Sequence, residues 1–154
     1  MANEGSTGRN WRIYRNTGTY SVPVWTVVGE RKDITLSITK DEIESLRDAA
    51  EFKEYLKGYK DLDCSFDIKY TRNNANHVAF RTDFFADSDS SFDLLVLDGD
   101  SSTTGNQGMR ILCALFDFSH SGPLTDETTV SLTFKPTYVE DSGSPVESDW
   151  YTVS

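Results

Sequence analysis

Positive charge is scarce in this chain: 15 lysines and arginines stand against 25 aspartates and glutamates, a formal charge of −10. That balance argues against an ordinary nucleic-acid-binding protein, which needs a basic patch to hold phosphate. The only tight basic cluster is Arg31 with Lys32. Cysteine is nearly absent as well. Cys64 and Cys113 both sit in apolar, strand-like runs, where two buried free thiols are expected rather than a disulfide. No histidine stands at ligand spacing from them, so no metal site is expected. Long hydrophobic runs are missing too: none approaches the roughly 18 apolar residues of a membrane span. "MANEGSTGRN" lacks the charged and apolar regions of a secretory signal. The chain is therefore expected to be cytosolic when made and to have no membrane anchor.

What is present describes a globular protein. Its 154 residues are 37% apolar and 12% aromatic, and a single domain of that length buries roughly 70% of the surface its unfolded form exposes. Residues 1–10 are expected to be a flexible N-terminal arm and residues 139–154, "VEDSGSPVESDWYTVS", an acidic C-terminal extension. A single domain then spans 11–138.

Short apolar runs bounded by turn residues predict strands at 11–15, 20–28 (edged by Pro23), 33–38, 61–71, 92–97 and 111–118, and in "TTVSLTFKPTY". The most regular lies in "GYKDLDCSFDIKY". Leu62, Cys64, Phe66, Ile68 and Tyr70 fall on one face, and Asp61, Asp63, Ser65, Asp67 and Lys69 on the other. "FDLLVL" and "ILCALFDF" are apolar on both faces, which predicts strands covered on both sides. "RNNANHVAFRTDFF" changes period: Asn74 or Asn76 can cap a helix that gathers Val78, Phe80, Phe84 and Phe85 on one side.

A second helix is expected within 41–57. Thr39 is a candidate N-cap with Glu42 as its capping-box partner, Ile38 and Ile43 form a staple, and Gly58 is placed for a left-handed C-terminal cap. The apolar stripe is imperfect, so one short helix plus an irregular arm is the alternative. The fold class is mainly β (α+β): an antiparallel sandwich or barrel of six or seven strands with one or two short helices.

No catalytic set is visible. His77, near a helix start, and His120, in a serine and glycine turn, have no nucleophile motif near them and read as surface or capping residues. "DSDSSFDLLVLD" imitates the start of a calcium loop at Asp87, Asp89, Ser91 and Asp93. It then has Phe92 where the turn needs glycine and Asp98 where a bidentate Glu belongs. Gly105 and Gly108 do not join a strand to a helix and make no phosphate cradle. Trp11, Trp25 and Trp150 are read as core or interface aromatics rather than a sugar platform. Neither a catalytic residue, a metal nor a cofactor is expected.

One ordered combination is more specific than its parts: "VPVWTVVGERKDITLSITKDEIE" followed by "RDAAEFKEYLKGYKDLDCSFDIKY". It resembles the major tail tube proteins of long-tailed bacteriophages and related phage-like particles. In those a strand of Asp followed by alternating Leu and Ser runs into a Lys-Asp-Glu-Ile segment. An arm ending in Lys-Glu-Tyr-Leu then leads, through "GxKD", into an alternating strand. The matching positions are 33–44 and 52–61, and the later order of helix, apolar strand, Ser/Gly turn and final strand is also similar, over about residues 11–138. Phe52 stands where the family commonly has Trp, and "SLRDAAE" replaces its Gly- or Ser-rich arm.

The resemblance implies a tail-tube fold and hexameric rings stacked into a virion tail tube, made in the host cytoplasm. DNA would pass through without specific binding, and the partners would be the chain itself, a tape measure protein and a tail terminator. It implies lumen-facing positions at Asp61, Asp63 and Asp67, since a bore that conducts DNA must repel phosphate. It also implies an inter-ring or inter-subunit arm carrying Asp41, Glu42, Arg47, Asp48, Phe52 and Tyr55. Edge pairing suits ring closure, and no candidate strand except the one with Pro23 has an internal proline. The tube of a contractile injection or secretion system is the alternative in the same class. A carbohydrate-binding or adhesion module is the alternative from another class.

Overall fold

The computed structural model describes residues 11–29, 31–48, 51–87, 90–125 and 127–154, with the side chains of Arg31 and Lys32 excepted. The expected N-terminal arm lies outside these residues. Ten strands and one helix follow in chain order among them. They are β1 (Arg12–Asn16), β2 (Trp25–Val27), β3 (Arg31–Ser45), β4 (Glu54–Lys69), α1 (Ala75–Phe84), β5 (Phe92–Leu97) and β6 (Gln107–Ser121). β7 (Thr129–Pro136), β8 (Val139–Asp141), β9 (Ser144–Val146) and β10 (Asp149–Thr152) complete the chain.

Eight strands form one antiparallel sheet in the order β2-β1-β5-β6-β7-β4-β3, with β10 added beside β6, and β8 pairs only with β9. β6 is the strand that bends this sheet. On one edge it pairs with β5; on the other it pairs first with β10, at residues 107–110, and then with β7, at residues 113–121. A register shift between Leu115 and Asp117 marks the bulge. Ile13, Leu94 and Val96 from one half of the sheet therefore share a core with Phe66, Leu132 and Phe134 from the other. This is the mainly β, sandwich-like arrangement that the alternating runs predict.

The alternation in β4 is borne out: Leu62, Cys64, Phe66 and Ile68 are buried. Tyr70, expected with them, lies just past the strand and is partly exposed. β5 is covered on both sides, as expected. Leu94 and Val96 enter the main core, while Leu95 and Leu97 join Tyr14 and Val153 in a second cluster. Asn74 is the cap of α1, its side chain accepting from the backbone N–H groups of Asn76 and His77. Phe80 fills the space between helix and sheet, 5.1 Å from Phe92 and 5.5 Å from Phe134.

The expected helix at 41–57 does not form. β3 and β4 continue past the core as a two-stranded hairpin, paired from Lys40 with Lys60 to Ser45 with Glu54. The signals at Thr39 and Glu42 are local, whereas cross-strand pairing runs along the segment from Lys40 to Ser45 as a continuation of the core strands. Ile43 and Leu56, which suggested a helical stripe, are directly opposed cross-strand neighbours. Gly58 is no helix cap. With Tyr59 it forms the two-residue bulge of β4 that faces Asp41, where an added Cβ would lie 2.9 Å from the Asp41 Cβ.

The C-terminal segment is also structured. β10 is hydrogen-bonded into the main sheet, Val153 is buried, and its N–H and C=O bond to Asn106 and Gly105.

Candidate functional site

The β3-β4-β7-β6 half of the sheet turns its core side toward α1, and period-2 alternation puts the other set of side chains on a polar face. Asp61 pairs with Thr39, Asp63 with Ser37, and Ser65 lies between Thr35 and Thr133. Asp67 opposes Ser131, which in turn opposes Ser119 of β6. The structure thus brings Asp61, Asp63 and Asp67 onto one surface and surrounds them with hydroxyls from three other strands. These neighbours are single members of separate alternating runs, so the field they make needed the register to be seen.

Charge on this face is mixed but tilts negative. Asp117 joins the three aspartates, its Oδ1 accepting from the Ser119 hydroxyl at 2.6 Å. Lys135 Nζ lies 3.7 Å from Asp63 Oδ1, and Lys69 Nζ lies 3.7 Å from Glu127. Both contacts are long and half-exposed, so each contributes little to stability. The face offers many hydrogen-bonding groups spread along its strands.

The β3–β4 hairpin carries the other predicted set. Asp41, Glu42, Arg47, Asp48, Phe52 and Tyr55 all lie on it and are exposed. Arg47 Nη2 bonds Glu54 Oε1 at 2.8 Å across its end. Sequence reasoning missed how much apolar surface accompanies them. Leu46 is 90% exposed, Phe52 83% and Tyr59 88%, with Ile43 and Leu56 also open. Such a concentration away from the core marks a surface awaiting a partner.

Burial pushes the Cys64 thiol up to about 12, and Cys113, wholly enclosed, is raised by burial and by Cys64. Among the described residues no three His, Cys, Asp or Glu side chains gather as metal ligands. Of the calcium-like stretch, Asp89 lies outside the described residues. Asp93 is committed to Arg110, whose Nε and Nη2 reach it at 3.0 and 2.5 Å. Arg110 also stacks over the Tyr20 and Trp25 rings at 4.1 and 5.1 Å, a half-buried cation held by a carboxylate and two aromatics. Trp11 packs on the main core and Trp25 on the second cluster, so they do not share a platform.

His77 departs from the surface position expected of it, while His120 is exposed as expected. His77 is buried, with its ring 5.9 Å from that of His120, although the residues are far apart in sequence.

No protein-family model matches the chain, and no curated protein does. Solved structures do. A chain from the tail of an empty gene transfer agent particle, with C6 symmetry, superposes with a TM-score of 0.68 at 12% identity, covering 93% of this chain and 98% of its own. The SPP1 tail tube gives 0.71 at 6% identity, covering 96% and 80%. A chain of the sheath–tube complex of an extracellular contractile injection system gives 0.66 at 9% identity, covering 97% and 93%. The architecture is therefore a tail-tube fold, shared with phage-type tails and with a contractile injection apparatus alike.

Proposed function

We propose that this protein is a structural subunit of hexameric rings that stack into a tail tube through which DNA passes. The observation that carries this reading is the near end-to-end match to subunits of tail assemblies, one of them with sixfold symmetry. Physical features of the protomer support it. The sheet ends in two open edges, β2 and β3, and β3 offers 15 residues without a proline. Pairing one edge of a subunit with the opposite edge of the next is a head-to-tail contact, the kind that closes into rings. The polar β3-β4-β7-β6 face is then the bore, with Asp61, Asp63 and Asp67 lining it. The hairpin with Leu46, Phe52 and Tyr55 is the arm between rings or subunits.

On this reading residues 11–153 act as one domain and the protein does no catalysis. Its partners are its own copies, a tape measure protein and a tail terminator, and it resides in the virion tail after synthesis in the host cytoplasm. Negative-stain microscopy of concentrated protein, with light scattering, is expected to show rings or tubes of phage-tail width. A monomer at every concentration that a sugar or metal stabilises against heat would sink the idea. The contractile-system match keeps an injection-system tube as the second reading. A sheath gene beside this one would favour it, and a portal gene would favour a phage.

A further inference from the structure

The helix α1 is fastened to the sheet at its first turn by two adjacent residues. Asn76 is held on the β1–β2 side: Arg15 Nε donates to its Oδ1 at 3.1 Å, and its own amide donates to the Val27 carbonyl at 3.2 Å. His77 is held on the β6 side, inside a cage of rings. Tyr70 meets it edge-on at 5.0 Å, Phe118 at 5.8 Å, and His120 lies parallel to it at 5.9 Å. His77 is 1% exposed, and neither of its ring nitrogens has a hydrogen-bond partner. Packing of a neutral ring is thus all that this side chain contributes.

We propose that the cage of Tyr70, His77, Phe118 and His120 is an acid-labile clasp: an uncharged His77 ring holds the start of α1 on β6, and a proton on His77 releases it. Burial and the nearby basic groups oppose a positive charge on His77. Burial acts first, and the charges that act on it, His120 from β6 and Arg81 on its own helix, are both of the same sign. Arg15 of β1 adds another cation behind Asn76, while Tyr70 and Phe118 present rings. The first turn of α1 contains no acidic residue, and its helix dipole puts partial positive charge at this end. Together these hold the His77 imidazolium below the ordinary histidine range. The folded protein therefore binds the proton less readily than the unfolded chain. The stabilisation is fully present above about pH 6.5 and is lost as pH falls below it. The clasp is a property of the protomer and stands whether or not the chain builds a tube.

Site-resolved amide exchange tests it on the full chain. Between pH 7.5 and 5.5, after correction for intrinsic rates, residues 76–84 should lose protection relative to β4 by up to about tenfold in all, since pH 5.5 lies about one unit below the ordinary histidine value. His77→Phe keeps the ring in the cage and should abolish that pH dependence. His120→Asn alters an exposed residue and should raise the His77 titration midpoint, read from the imidazole resonances; it remains informative if the Phe variant fails to fold. Equal loss of protection in wild type and His77→Phe, or an ordinary His77 midpoint that His120→Asn leaves unmoved, would overturn the clasp.

Discussion

At the scale of single residues, three phenylalanines join helix to sheet. Phe66 of β4 and Phe134 of β7 stack with centroids 5.5 Å apart, and Phe80 of α1 stands edge-on to both. Phe80 is fully buried, whereas Phe85, one turn on, is 72% exposed. Truncating Phe80 to Ala should cost about 3–5 kcal/mol, the transfer loss plus the cavity left between α1 and the sheet. Truncating Phe85 should stay within about 0.5 kcal/mol. Urea unfolding of the two variants checks the contrast, and equal losses would mean that α1 is not seated as described. Phe66, Phe80 and Phe134 were legible because alternation and helical spacing sort inward from outward, but Phe84 and Phe85, expected on the same helix side as Phe80, are exposed because the helix ends there. Gly108 was not legible. A Cβ there would lie 1.7 Å from the Val96 carbonyl oxygen, a close approach that only the paired strands create. The meeting of His77 with His120 was hidden for the same reason, since tertiary contact leaves no local pattern.

At the scale of elements, short-range signals succeeded where the segment had its partner nearby and failed where it did not. Asn74 capped α1 as its sequence promised. The equally plausible signals at Thr39 and Glu42 lost to cross-strand pairing with residues 54–60, which prolongs the ladder that β3 and β4 already form over the core. β10 was missed because a four-residue strand in an acidic, serine-rich stretch has almost no pattern of its own; its place comes from β6. The hairpin nevertheless collects the six arm residues that the resemblance implied, with a surplus of exposed apolar side chains. Leu46→Ser combined with Phe52→Ser should leave the melting temperature of the protomer nearly unchanged, since both side chains stand in solvent. The same pair should strip away higher assemblies in light scattering. Intact tubes from the double variant would remove the hairpin from the assembly contacts.

At the scale of the whole molecule, electrostatics decides what the polar face can do. A ring of six subunits carries a formal −60, six times the −10 of one chain. Much of that charge faces ordinary solvent, but Asp61, Asp63 and Asp67 sit on the hydroxyl-rich face. On the wall of a bore such charges act on phosphates that pass within one Debye length, about 8–10 Å, and are screened beyond it. Repulsion of that sort keeps DNA mobile, whereas lysines there would hold it by counterion release. Asp63→Lys with Asp67→Lys adds two charges at each site, taking the ring from −60 to −36. Asp63 is half-exposed and its contact with Lys135 spans 3.7 Å, so folding and assembly should survive the exchange. DNA transfer by the reconstituted particle should slow, and the defect should shrink as salt rises. Transfer that proceeds at the original rate at low salt, from tubes of normal appearance, would take this face out of the bore.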